Sequence, residues 1–207
     1  MKYKYILLLA AVGFTCTSCK QHLKQDTQTE STSNFKVDKN APAAEELIVP
    51  SQGIGKIKLD EATSNLVTMF GKPDSGDAAM GKRVLSWKSK PDTSKYLTQV
   101  YAEKQMGTDN DTSRVKLIRV TSPSFVTEKG IKVGTDRRKI ESAYQVQKVA
   151  TFTKGSENFA LFDDKDNGIA FELDSKEICT AVIVHQHGTK ATANYRAFIP
   201  QANLLVK

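Results

Sequence analysis

Gly130-Ile-Lys-Val-Gly-Thr-Asp-Arg-Arg-Lys-Ile-Glu-Ser-Ala-Tyr-Gln145 sets the reading of the whole chain. Ile131-Lys132-Val133 is β-branched at both ends and predicts a short strand. Gly134 predicts a tight turn, and Ile140, Ala143 and Tyr144 fall on one face of a helix capped by Thr135 or Asp136. The same order stands once upstream. Ile57-Lys58-Leu59-Asp60 occupies the place of Ile131 to Gly134, and Leu66 and Phe70 the places of Ile140 and Tyr144, each pair 74 residues apart. A constant offset marks one structural pattern used twice.

Working outward, the first copy begins near Gly53, takes Asp60 as its N-cap and runs an apolar stripe through Ala62, Leu66, Met69 and Phe70. Gly71-Lys72-Pro73 stops that helix. Strands are predicted over Arg83–Lys88, Tyr96–Glu103 and Arg114–Val120. In the second copy strands are predicted over Lys148–Thr153, Phe159–Phe162, Ile169–Leu173 and Thr180–His185. Asp166-Asn167-Gly168 forms the hairpin turn between the middle two. A further strand is expected at Tyr195–Ile199, stopped by Pro200. The fold class this implies is α+β, with two tandem helix-plus-antiparallel-sheet units over residues 51–122 and 123–190 and a tail over 191–207. Each helix is expected to lay its stripe on its own sheet.

A composition of 39% hydrophobic and 26% charged residues over 207 positions is that of an ordinary globular protein. The formal charge is +7, or two less without Lys2 and Lys4. The densest basic run, Arg137-Arg138-Lys139, has Asp136 and Glu141 beside it. A nucleic-acid footprint needs a basic stripe interleaved with aromatics, and the chain has none, so no nucleic-acid partner is expected.

The N-terminus gives an address. Met1-Lys2-Tyr3-Lys4 is a short positive segment, Tyr5–Phe14 is apolar but too short for a bilayer span of roughly 20 residues, and Thr15-Cys16-Thr17-Ser18-Cys19 follows. The segment resembles a bacterial lipoprotein signal peptide of residues 1–18, in which a small residue precedes the Cys that is lipidated. Cys16 stands where Leu is usual in that motif. The resemblance implies lipidation at Cys19, a membrane-anchored protein of the bacterial cell envelope, and, from Lys20 after the Cys, the outer membrane. Two or more acyl chains anchor stably at about 0.8 kcal/mol per buried CH₂. Removal of Cys16 and modification of Cys19 would leave Cys179 alone, so no intrachain disulfide is expected. Residues 19–50 are polar and read as a flexible tether.

Few residues suggest chemistry. His185 and His187 alternate on one strand face, a geometry that can hold Zn²⁺ or Cu²⁺, but no third ligand is near in sequence. Cys179 sits among Ile178, Val182 and Ile183, which suits a small core residue better than a nucleophile paired with His185. Asp163-Asp-Lys-Asp-Asn-Gly168 places Lys165 where a calcium loop needs an acid, and Asp109-Asn-Asp111 reads as a solvated turn. No phosphate-binding glycine loop and no hydrolase or zinc-protease motif is present, so no cofactor and no catalysis are expected.

The turn, the short helix ending in an aromatic, and the strand meander, in tandem, resemble the β-lactamase-inhibitory-protein-like fold. The SmpA/OmlA-type outer-membrane-assembly lipoproteins share that signature. Leu66-Val-Thr-Met-Phe70-Gly71-Lys72-Pro73 carries the helix ending of those families, and the second copy, with Gln145 after Tyr144, matches more loosely. The resemblance implies a protein-binding habit and carries over no catalytic residue. The expected function is a membrane-anchored envelope lipoprotein acting as a protein-binding or structural module, with Trp87, Tyr96 and Tyr101 as its partner-binding aromatics. The alternative is a binding protein for a small ligand or metal through His185 and His187.

Overall fold

The computed structural model describes residues 43–89, 95–104 and 112–205. Residues 1–18, Cys19, most of the tether and Asp109–Asp111 lie outside the described residues.

Strands dominate. The described chain runs β1 (Leu47–Val49), β2 (Gly53–Ile54), β3 (Ile57–Lys58), α1 (Thr63–Phe70), β4 (Ser75–Ala79), β5 (Lys82–Lys88), β6 (Leu97–Lys104) and β7 (Ser113–Val120). It continues with β8 (Val126–Thr127), α2 (Arg137–Ala143), β9 (Gln147–Lys154), β10 (Glu157–Asp164), β11 (Ile169–Leu173), β12 (Cys179–His185) and β13 (Asn203–Leu204). A small sheet has the order β3-β2-β1-β8, with β1 and β8 parallel. A nine-stranded antiparallel sheet has the order β13-β9-β10-β11-β12-β7-β6-β5-β4.

That arrangement corrects the expected fold class. An α+β protein of two helix-plus-sheet units requires helices that cover two separate sheets. Here the helices span eight and seven residues, and one sheet crosses the supposed boundary through the β7–β12 pairing, where Val120 stands opposite Val182 and Ile118 opposite Val184. The chain is a sheet-rich fold. The physical reason lies in the middle strands. Every residue of β11 is buried and all but one of β12, so these strands have apolar side chains to cover on both faces and cannot be sheet edges. Pairing β7 to β12 removes two edges at once.

The offset of the sequence pattern survives inside this different architecture. α1 begins at Thr63 and α2 at Arg137, 74 positions apart, and each is followed by a four-stranded meander, β4–β7 and β9–β12. Asp136 caps α2 by accepting the Lys139 N–H at 3.1 Å. Asp60 does not cap α1. It stands at φ 60°, its carboxylate takes Lys116 Nζ at 2.5 Å and Gln186 Nε2 at 3.1 Å, and Ala62 occupies the cap position. Tyr195–Ala197 forms a 3-10 turn where a strand was expected. Leu47–Val49 is a strand, and Ile48 is fully buried in the core.

Two apolar cores flank the large sheet. On one face Ile48, Ile54 and Ile57 of the small sheet, Leu66 of α1 and Ile140 and Tyr144 of α2 pack on Val100, Ile118, Phe171, Val182 and Val184. On the other, Ala191, Tyr195 and Ala202 of the C-terminal segment pack on Leu117, Leu161, Ala170 and Ile183. That segment leaves the β4–β6 end of the face open, and a groove lies there.

Candidate functional site

Sequence sets up α1 to be half buried. Leu66 enters the core completely, while Val67, Met69 and Phe70 remain 39%, 44% and 40% exposed. Gly71, at φ 78°, ends the helix by donating its N–H to Val67 O. The carbonyl of Gly71 then accepts the indole N–H of Trp87 on β5 at 3.0 Å, which fixes the strand against the helix end. The Phe70 and Trp87 rings meet at 5.8 Å between centroids and 57° between planes, a tilted contact within the range of favourable aromatic pairs.

Beside this pair opens a pocket of about 290 Å³. Ile54 and Ile57 of the small sheet, Phe70, Trp87 and Phe125 give it apolar walls, and Lys56, Lys88 and Glu45 stand at its lining. Lys56 and Glu45 pair at 2.8 Å, both more than half exposed, so the pair contributes little to stability. Among the described residues, three of the exposed large apolar side chains thus sit on one short helix next to one apolar pocket. Soluble surfaces rarely gather apolar groups this way unless something binds there.

The equivalent place in the second copy is closed. Tyr144, 74 positions after Phe70, is 5% exposed, packs on Phe171 at 5.4 Å, and is covered by the Lys129 ammonium 4.4 Å above its ring. Lys129 also donates to Ala143 O at 2.7 Å, which holds the cover in place.

The three aromatics expected to bind a partner are dispersed. Trp87 lines the pocket although only 8% of it is exposed. Tyr96 is half-buried, with Lys95 Nζ 5.2 Å from its ring. Tyr101 is buried in the core of the other sheet face and donates its hydroxyl to Glu103 at 2.6 Å. Burial, reinforced by Glu103, pushes its phenol above the ordinary range. Phe70, Phe125, Ile54 and Ile57 were not legible as site residues, because each looks like ordinary core and only the three-dimensional arrangement brings them together.

His185 and His187 do not share an environment. His185 ends β12, is 2% exposed, and places Nε2 2.9 Å from Asp163 Oδ1 and Nδ1 3.1 Å from Gln186 O. Asp163 Oδ2 accepts the Ala191 N–H at 3.0 Å, so the pair fastens the C-terminal segment. His187 lies past the strand end and is exposed. Among the described residues no group of three His, Cys, Asp or Glu side chains is placed to hold a metal ion. Cys179 is buried, its thiol is pushed up by burial, and its Sγ donates weakly to Ala181 O at 3.4 Å, which leaves no accessible thiolate.

A buried polar chain runs under the C-terminal segment. Arg119 grips Glu172 through Nε and an η nitrogen, both at 2.6 Å, and donates to Gln99 Oε1 at 2.7 Å. Gln99 donates to Ser86 Oγ at 3.2 Å, and Tyr195 donates its hydroxyl to Glu172 at 2.9 Å. Burial works against the Arg119 cation, but the charge and hydrogen bonds of Glu172 hold it above its ordinary value. Burial and Glu172 likewise push the Tyr195 phenol up. Every member is partnered, which makes the chain a structural device.

No family model matches the chain, and no curated protein matches it. A solved structure of an extracellular protein containing a SCP domain from Bacillus anthracis str. Ames is similar to it at 9% identity, covering 72% of this chain and 49% of that one, with a TM-score of 0.40. The chain therefore spans about half the length of that protein, and a likeness of this degree carries no argument about fold or function.

Proposed function

We propose that the protein is a non-enzymatic envelope lipoprotein, anchored by a lipidated Cys19, whose folded part binds another protein through the pocket beside α1. The observation that carries the binding role is Phe70, 40% exposed and lining a pocket with Trp87, Phe125, Ile54 and Ile57, on a helix that also exposes Val67 and Met69. A partner inserting an apolar side chain there would bury surface at roughly 25 cal/mol per Å², with the indole already held rigid by its bond to Gly71. Support for the anchor comes from the sequence alone, in the resemblance of its first nineteen residues to a lipoprotein signal.

The test is crosslinking in native membranes with wild type and a Met69→Ser/Phe70→Ser variant. Both side chains are more than a third exposed, so the variant is expected to keep its fold. Loss of a discrete crosslinked species from a folded variant supports the reading, and an unchanged set of crosslinked species refutes it. Intact mass of the protein from its membrane, beside Cys19→Ser, tests the anchor separately. A wild-type chain starting at an acylated Cys19 supports it, and an unmodified soluble wild type ends it.

A further inference from the structure

Beside β5, β4 is the terminal strand of the large sheet, and all five of its residues are exposed. Met80 and Gly81, at φ 50° and 77°, form the two-residue turn that joins β4 to β5. A turn of that length makes Ala79 and Lys82 the closing hydrogen-bonded pair, so Ala78 and Gly76 direct their peptide groups away from β5, toward the open edge. The backbone bears this out at Ala78, whose N–H is taken by Asp77 Oδ1 at 2.8 Å. The side chains of the strand, Ser, Gly, Asp, Ala and Ala, are small enough for another backbone to approach closely. Met80 is 92% exposed in a left-handed conformation that an unbranched apolar residue rarely adopts.

Alongside the strand lies the groove of about 710 Å³ that the C-terminal segment leaves open. Lys82 and Arg196, both exposed, bring positive charge to it against one acidic lining residue, Asp77, whereas Arg83, next to Lys82 on β5, directs its side chain to the opposite face of the sheet. Side chains of a strand added at β4 would alternate between the two sheet faces, and those on this face would meet the basic groove.

We propose that the β4 edge is a docking strand for an extended segment of a partner protein that carries acidic side chains at alternate positions. Pairing would use the outward groups of Gly76 and Ala78, and Lys82 and Arg196 would receive the carboxylates. Asp77 guards the edge in the free protein by capping the Ala78 N–H and opposing negative charge. The site is separate from the pocket beside α1 and does not depend on its reading.

The test is fluorescence anisotropy of the full chain with a labelled Thr-Glu-Val-Glu-Val-Glu-Thr peptide and its Lys-for-Glu counterpart. The acidic peptide is expected to bind about tenfold tighter than the basic one. Ala78→Pro removes the outward donor while sparing the ladder to β5, and should weaken binding by about tenfold. Lys82→Glu changes only an exposed side chain, stays informative if the proline variant misfolds, and should weaken binding by a similar factor. Asp77→Ala should tighten it. Equal binding of the two peptides, or full affinity in either variant when folded, overturns the proposal. A wild-type dimer that Ala78→Pro dissolves would assign the edge to a second copy of this chain and overturn it equally.

Discussion

Replacing Arg119 by Leu should cost far more than removing the whole charge pair. Glu172 is 1% exposed and Arg119 8%, and the two meet through two hydrogen bonds of 2.6 Å. Arg119→Leu leaves a carboxylate in the core with only the Tyr195 hydroxyl as a side-chain donor, and stranding one member of such a pair costs about 3–5 kcal/mol. At about 2–4 °C per kcal/mol for a domain of this size, the melting temperature should fall by about 6–20 °C. Adding Glu172→Gln removes the stranded charge yet keeps an acceptor for Tyr195, so the double variant should be more stable than Arg119→Leu by about 1–3 kcal/mol. Urea unfolding followed by tryptophan fluorescence measures both. The chain has one tryptophan, Trp87, and it is buried, so its emission should shift on unfolding. A cost below about 1 kcal/mol for Arg119→Leu, or a double variant less stable than that single one, would refute the reasoning.

Alkali should unfold the protein through groups that folding keeps protonated. Burial pushes the Cys179 thiol up, and burial and Glu172 push the Tyr195 phenol up, so the unfolded chain releases protons that the folded one retains. Their contribution is complete below the ordinary thiol and phenol values near ~8.5 and ~10 and declines above them by about 1.4 kcal/mol per pH unit each. Tyr195→Phe should flatten the decline of urea midpoint above pH ~10, and an unchanged slope would show that this phenol is not its source. Gly168→Ala should cost about 2–4 kcal/mol, because φ there is 68° and a Cβ would stand 2.2 Å from Ser51 Oγ and 2.5 Å from His185 O. A melting temperature equal to wild type would show that the loop relaxes freely. Ile140→Asp places a carboxylate at a fully buried position and should leave no folded protein in circular dichroism, and a folded variant would disprove the packing of α2.

How much of this was legible follows from the range of the forces involved. Ile169–Leu173 was readable to the residue, since an Asp-Asn-Gly turn fixes its start and four of its five residues are apolar. The 74-residue offset placed both helices, because Leu66 and Ile140 meet the same requirement, complete burial against a sheet. Fold class was not legible. Whether β7 pairs with β12 depends on which edges remain exposed once both meanders exist, and no local pattern records that. β4 was missed for a local reason, as Ser-Gly-Asp-Ala-Ala has low strand propensity and pairs only because the turn at Met80-Gly81 returns the chain onto it. The site was legible only in Trp87. Phe70 belonged to the predicted core stripe, and its 40% exposure is set by tertiary packing that no local pattern records.

The internal pattern explains why a site should arise on one copy and not the other. Two segments with the same apolar spacing fold into equivalent helices, and each ends in an aromatic at the equivalent place. In the second copy Tyr144 lies over Phe171, beneath Lys129, and is sealed. In the first, Phe70 leans on Trp87 and stays 40% exposed, with a cavity beside it instead of a cover. Sealing a ring of that size is favourable by about 1.5–3 kcal/mol, and the second copy shows that this architecture can do it with one lysine and one aromatic. A protein that forgoes the same closure at Phe70 keeps an apolar surface whose free energy is still available to a partner. Leaving that surface open fits the proposed binding role, since the core beneath it, at Leu66, is already complete.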